Sequence, residues 1–121
     1  MRLPLGLRKL LFGSAIMCVL AISANAAIKH VTVGAGIIFK DVSSGTSNPA
    51  VTTIFVGDTV QWDWLGGSHS STSGTCGGSG CTPDGLWDSP VMSSGSFSHT
   101  FNTPGTFHYF CRPHQAQMQG M

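Results

Sequence analysis

Apolar and polar side chains alternate along several short stretches of the chain, the first of them between Ile28 and Val33. A period of two residues is typical of a β-strand with one buried face. The small residues Gly34–Gly36 then interrupt the pattern, because they favour a turn. Enrichment in β-branched and aromatic residues predicts further strands at residues 37–39, 51–56, 59–64, 97–101 and 106–111.

Two stretches between these strands have the composition of loops. Residues 41–49 are rich in Ser, Gly, Thr, Asn and Pro, and residues 65–85 are dominated by Gly, Ser and Thr. The second stretch is so long that a functional or specially fastened loop is expected. Gly57-Asp58 predicts a short turn, with antiparallel pairing or a bend between its two flanking strands. Because no 3.6-residue apolar period occurs after the N-terminal region, the pattern predicts an all-β fold, an antiparallel β-sandwich.

The N-terminal residues 1–26 have the layout of a secretory signal peptide. Three of the six basic residues lie in the first nine positions, and they precede the apolar stretch Leu10–Ile22 and the small-residue tripeptide Ala24–Ala26. This stretch is shorter than the about 20 residues of a membrane span. A lipoprotein site at Cys18 would need small residues before it, where two large apolar residues stand. We therefore expect a soluble periplasmic or otherwise exported protein, without stable membrane insertion after cleavage, that begins near Ala27.

The charge balance of residues 27–121 narrows the classes of partner. Three basic side chains face five aspartates and no glutamate, which gives a formal charge of −2. A surface that follows nucleic-acid phosphates needs clustered positive charge, so no nucleic-acid partner is expected. A chain of this size buries one modest core, and a covalent clip or a bound metal would add to its stability.

The four cysteines suggest two kinds of chemistry. Cys76 and Cys81 flank a flexible Gly-Gly-Ser-Gly segment, and in an oxidising compartment such a pair most simply forms a disulfide. A redox-active or metal-binding pair is the alternative, although the spacing is not that of the Cys-x-x-Cys oxidoreductases. Cys18 lies in the predicted leader, which leaves Cys111 as an odd thiol in an exported protein.

The C-terminal run from Cys111 to Met118 carries the strongest chemical signal. Cys111 ends a predicted strand, His114 follows three residues later, and Met118 follows four residues after that. A tight turn at Pro113 would let thiolate and imidazole reach one ion, and the thioether could approach it from another side. A soft thiolate, imidazole and a weak thioether are the ligands of an electron-transfer copper site. His69 is the candidate for the second imidazole that such a site needs.

Each candidate ligand also has a plain alternative. Cys111 could be an inert buried thiol, and His69 could be an ordinary loop histidine. Met121 competes with Met118 for the thioether position, although the longer spacing would place Met121 beyond the loop. We favour Met118.

The order and spacing of these features resemble the cupredoxins, the small blue copper proteins. The resemblance is carried by Val56–Trp62, by His69, by Phe101–Cys111 and by the Cys-x2-His-x3-Met run, and it covers most of residues 28–121. It implies a Greek-key β-sandwich that binds one type 1 copper ion through His69, Cys111, His114 and a weak axial Met118. Gly120 fits the Met-x-Gly pattern of that family.

Two features depart from the cupredoxin pattern. Ser70 follows His69 where related proteins often have asparagine, so the hydrogen bonding around the thiolate is expected to differ. Family members also continue with a final strand after the methionine, whereas this sequence ends at Met121. We therefore expect the cupredoxin domain, residues 27–121, to be C-terminally incomplete and to lack that strand.

The expected function is transfer of single electrons between redox proteins by Cu(II)/Cu(I) cycling. By resemblance, the imidazole edge of His114 would meet transient redox partners, with Pro113 and Ala116 forming an apolar patch around it. The protein is expected to be a monomer and not an enzyme, because no catalytic constellation occurs in the sequence. A copper-delivery module and a purely structural β-sandwich are the competing interpretations.

Overall fold

The computed structural model describes residues 25–121, which form two four-stranded sheets packed face to face. The predicted all-β sandwich is thus confirmed. No helix occurs in this part of the chain, and therefore none that could cross a membrane. The predicted leader lies almost wholly outside the described residues. In chain order the strands are β1 (Ile28–Val33), β2 (Phe39–Asp41), β3 (Thr59–Trp64), β4 (Thr72–Gly77), β5 (Gly80–Asp88), β6 (Ser96–Thr100), β7 (Tyr109–Cys111) and β8 (Gln115–Gly120).

The first sheet has the order β2-β1-β3-β6. β1 pairs antiparallel with β2 but parallel with β3, from Ile28 opposite Thr59 to Val33 opposite Trp64. The prediction of a purely antiparallel sandwich is therefore wrong for this sheet. The physical reason is the connection from β2 to β3, which crosses from one side of β1 to the other. β3 therefore starts at the same end of the sheet as β1 and runs parallel to it.

The second sheet has the order β5-β4-β7-β8 and carries the C-terminal motif. All of its pairings are antiparallel, and the ladder between β7 and β8 shifts register between Phe110 and Cys111. This shift accommodates the turn between Cys111 and β8. The Cys-x2-His-x3-Met run therefore starts at the end of one strand and finishes inside the next.

Aromatic side chains fill the space between the sheets. Trp62 is almost fully buried, and its ring centroid lies 5.4 Å from that of Trp87 and 5.3 Å from that of Tyr109. Such contacts contribute beyond the area that they bury. The buried core comprises Val31, Val33, Phe39, Ala50, Val60, Trp62, Trp64, Trp87, Phe101, Tyr109, Cys111 and Met118, with Phe97 and Phe107 packed partly buried against it.

The strand predicted at residues 51–56 does not form. This segment runs beside the chain end instead, where the Thr52 amide donates to the carbonyl of Met121 at 2.9 Å. The Asp58 carboxylate accepts a hydrogen bond from the Phe55 amide at 2.9 Å, which closes a turn before β3. β3 pairs with β1 on one side and with β6 on the other, so residues 51–56 find no free edge of β3 to pair with.

The long loop predicted at residues 65–85 is wrong over most of its length, because β4 and most of β5 lie there. The first residues of β4, and the residue before it, are small hydroxyl residues that are fully buried: Ser71, Thr72 and Ser73. Their hydrogen bonds replace apolar contacts: the amide of Trp87 donates to Ser73 Oγ at 2.9 Å, and that hydroxyl donates to the Trp87 carbonyl at 3.1 Å. Hydrophobic periodicity does not report such burial.

The residues after His114 form β8, a strand that the sequence pattern did not predict. β8 contains Met118 and pairs along β7, with Tyr109 opposite Gly120. A side chain at position 120 would collide with the Tyr109 ring, so only glycine fits there. The expectation that the domain is C-terminally incomplete stays a prediction.

Asp41 leads to a prediction about acid stability. Its carboxylate is 1% exposed and accepts hydrogen bonds from the Ser44 amide at 2.6 Å and the Thr52 hydroxyl at 2.8 Å. Burial alone would raise its pKa, but these bonds outweigh burial, and the pKa lies below its ordinary value. The resulting stabilisation is complete above about pH 4, where unfolded Asp ionises, and is lost as pH falls through the folded pKa.

We expect Asp41→Asn to lower the free energy of unfolding at neutral pH by about 1–3 kcal/mol, since one of the two donors then faces an amide NH2 group instead of an oxygen. Denaturant unfolding from pH 7 down to acid should show a shallower loss of stability in this variant. The exposed Asp84, changed to Asn, is the control. An unchanged pH profile in Asp41→Asn would contradict the assignment.

Candidate metal centre

Three residues that the sequence singled out meet at one end of the sandwich. His69, Cys111 and His114 each direct one donor atom to a common point, and these atoms lie within 4.8 Å of one another. Cys111 Sγ is 3.3 Å from His114 Nδ1 and 3.7 Å from His69 Nδ1, and the two Nδ1 atoms are 3.2 Å apart. Among residues 25–121 this is the one cluster of three or more such groups.

A tight turn after β7 positions Cys111 and His114. The amide of His114 donates to the Cys111 carbonyl at 3.2 Å, and the amide of Gln117 donates to the His114 carbonyl at 3.2 Å. Pro113, which lacks an amide donor, occupies the turn between them. This is the geometry that the Cys-x2-His spacing predicted. Cys111 is fully buried, whereas His114 is only partly buried.

His69 is fixed by its own main chain and by a neighbouring indole. Its amide and carbonyl exchange hydrogen bonds with the main chain of Met92 at 3.1 and 2.9 Å, and Trp64 Nε1 donates to the same carbonyl at 3.0 Å. The imidazole is 2% exposed and packs over Gly67, where a Cβ would lie 2.5 Å from His69 Nε2. Position 67 therefore needs glycine. No sequence motif indicated Gly67 or Met92.

Burial controls the protonation of this site. Burial lowers the pKa of His69, and the electrostatic interaction with the neighbouring His114 side chain lowers it further. The imidazole is therefore biased towards its neutral, metal-binding form. Burial raises the pKa of the Cys111 thiol, and the main-chain amides of Ser70 and His114 and the charge of Arg112 offset part of that rise. Binding of a metal would thus release the thiol proton.

The three donor atoms fit a single transition-metal ion. Bonds of about 2.0–2.3 Å to nitrogen and sulfur place two ligands of one ion roughly 3.5–4 Å apart when they subtend about 120°. The three observed separations are close to this range. One soft thiolate with two imidazoles is the donor set that favours copper in a trigonal arrangement.

The two methionines that compete for the thioether position differ in environment. Met118 is fully buried and belongs to the same core cluster as Cys111. Met121 is partly exposed, and its main chain pairs with residues 50 and 52. The burial favours Met118 over Met121 as the candidate thioether.

The hydroxyl of Ser70 accepts a hydrogen bond from the main chain next to Cys111. The amide of Arg112, next to Cys111, donates to Ser70 Oγ at 2.9 Å. Ser70 Oγ in turn lies 2.9 Å from the hydroxyl of Thr72, which bonds Asp88 at 2.7 Å. Arg112 reaches the same Asp88 carboxylate with Nε at 2.9 Å. This chain of bonds ties the start of the metal turn to β4 and β5.

The remaining predicted residues lie near the turn. Cys76 and Cys81 face each other across the β4–β5 hairpin and are joined by a disulfide, as predicted. Pro113 and Ala116 are exposed on either side of His114.

Comparison with known proteins agrees with this geometry. A model of one protein family, described as copper-binding proteins of the plastocyanin/azurin family, matches residues 46–121, which is more than half of the chain. Comparison with curated proteins gives no match. The matched residues include His69, Cys111 and His114 and the two candidate axial ligands, Met118 and Met121. The chain therefore belongs to the plastocyanin/azurin family of copper-binding proteins.

Proposed function

We propose that this protein is a type 1 copper protein that carries single electrons between larger redox proteins. In this proposal His69, Cys111 and His114 bind one copper ion, and Met118 is a weak axial ligand. The observation that carries it is the meeting of one thiol and two imidazole nitrogens within 4.8 Å in a member of a copper-binding family. When bound, copper would supply a one-electron change between Cu(II) and Cu(I).

The surrounding residues suit that exchange. A thiolate with two neutral imidazoles gives a net charge near +1 with Cu(II) and near 0 with Cu(I), and both states are tolerable in a buried site. Cys111 and His69 are buried, which excludes water from their side of the site. The main-chain bonds between His69 and Met92 and the turn after Cys111 hold the ligands in place in both states. Little reorganisation is then needed when an electron moves.

We infer that redox partners dock at the partly exposed His114 ring. Pro113 and Ala116 supply exposed apolar surface beside it in the chain. A small apolar patch suits a weak and transient interface. The proposal assigns electron carriage by a monomer, and not catalysis, to this chain.

We propose a periplasmic or otherwise exported location. The Cys76–Cys81 disulfide supports it, because such bonds persist in oxidising compartments. The leader-like pattern of residues 1–26 supports it independently.

Titration of the purified protein with Cu(II) tests the function. We expect one copper per chain, an intense visible absorption band from the thiolate and a reversible one-electron wave in voltammetry. Colourless, readily exchanged copper would contradict electron transfer and favour a copper-delivery module. Absence of copper binding would favour a structural β-sandwich.

A further inference from the structure

The tip of the β4–β5 hairpin contacts the metal turn, although β7 lies between β4 and β8 in the sheet order. β4 pairs with β7 only at Thr72 and Ser73, and the ladder between β4 and β5 shifts register between Thr72 and Gly74. The segment that the Cys76–Cys81 disulfide closes lies past this shift. β5 contacts β8 directly, so the hairpin tip folds towards the strand that follows the metal turn.

A single side chain makes the hydrogen-bonded link between these two parts. Gln115 Oε1 accepts a hydrogen bond from the amide of Cys81 at 3.0 Å. Gln115 Nε2 donates to the carbonyl of Arg112, inside the metal turn, at 2.7 Å. Both ends of the carboxamide are therefore engaged, one on the disulfide-closed tip and one between Cys111 and His114.

The backbone of Gln115 gives a second, independent observation. Its φ angle is 50°, in the left-handed region that non-glycine residues other than Asn and Asp rarely adopt. Such a conformation persists only when its surroundings determine it. The residue directly follows His114 in the chain, so its constrained backbone adjoins the imidazole ligand.

We propose that Gln115 is a positioning residue for the copper site: its carboxamide fastens the Cys111–His114 turn to the disulfide-closed hairpin. This inference rests on the proposed copper function. The disulfide holds the Cys81 amide in a fixed position. The Gln115 carboxamide accepts a hydrogen bond from that amide and donates one to the Arg112 carbonyl, so it holds the metal turn in place relative to the hairpin. The clip thereby acts on the metal turn as well as on its own hairpin.

The test introduces Gln115→Asn into the full chain in two backgrounds. One keeps the disulfide, and the other lacks it because it carries both Cys76→Ala and Cys81→Ala. Asparagine tolerates a positive φ but is one methylene shorter, so the substitution removes the double contact without adding backbone strain. Gln117→Asn is the matched control, because Gln117 is exposed in the same turn and its carboxamide makes no hydrogen bond within residues 25–121.

With the disulfide present, we expect Gln115→Asn to weaken copper binding about three- to tenfold, to shift the thiolate absorption band and the reduction potential, and to speed amide exchange at Cys81 in the metal-free protein. In the disulfide-free background it should add nothing further, because the fixed position of the donor, the Cys81 amide, is already lost. Gln117→Asn should change neither binding nor band.

Three outcomes would overturn the inference: an unchanged band, equal effects in both backgrounds, or a change confined to unfolding. The last would mean that Gln115 only stabilises the hairpin. If the wild-type protein gives no thiolate band, the proposed function fails. Two measurements on the metal-free protein still decide the role of Gln115: the rate of amide exchange at Cys81 and the NMR resonances of the His114 imidazole. Unchanged exchange and resonances in Gln115→Asn would then reject it.

Discussion

Replacing Cys111 by serine is expected to abolish the intense visible absorption of the copper-loaded protein and its reversible redox wave. Both depend on a soft, covalent bond between thiolate sulfur and copper, and a hydroxyl cannot supply that bond. A serine hydroxyl also stays protonated under conditions in which metal binding removes the proton of a thiol. His69 and His114 would remain, so residual copper should be pale and weakly held. Absorption spectra and voltammetry after Cu(II) addition measure the effect.

The variant is expected to fold, which makes this outcome interpretable. Serine differs from cysteine by one atom, and the new hydroxyl would lie close to the Nδ1 atoms that are 3.3 and 3.7 Å from Cys111 Sγ, where it can donate a hydrogen bond. Unfolding of the metal-free variant by denaturant checks this. The double variant Cys76→Ser with Cys81→Ser is the control and should keep an intense band. Persistence of the band in Cys111→Ser would contradict the site.

Strands with one apolar face could be predicted from the sequence, whereas strands held by other forces could not. β3 alternates between core and surface along its whole length and β1 does so in its second half, and the structure has both strands within the predicted bounds. β4 is buried through serine and threonine hydroxyls, which a hydrophobic pattern treats as loop. The segment 51–56 is rich in β-branched and aromatic residues, as strands are, yet it does not enter either sheet. Pairing partners decide such cases, and partners are distant in sequence.

The candidate site shows the same division. The spacing of Cys111 and His114 fixes a local turn, and local geometry can be inferred from three or four residues. His69 was inferred because a copper site needs a second imidazole, and the fold brings it across 42 residues to Cys111. Gly67 and Gln115 act through a close approach and a bridging hydrogen bond. Neither leaves a spacing signal, so only the folded chain identifies them.

Met118→Leu is expected to keep the blue colour and copper binding by His69, Cys111 and His114 while it raises the reduction potential. Leucine has a similar volume to methionine, so the buried position should tolerate it at a cost under about 1.5 kcal/mol. The thioether is a weak donor, and its loss destabilises Cu(II) more than Cu(I). The oxidised state therefore becomes harder to maintain, and the potential rises.

The matched control for this prediction is Met121→Leu. Met121 is partly exposed, and its contacts with residues 50 and 52 are made by main-chain atoms that the substitution leaves in place. If Met118 is the axial ligand, voltammetry should show a higher potential in Met118→Leu alone, with the thiolate band present in both variants. A shift in Met121→Leu but not in Met118→Leu would transfer the axial role to Met121. No shift in either would show that the three ligands His69, Cys111 and His114 set the potential without a thioether.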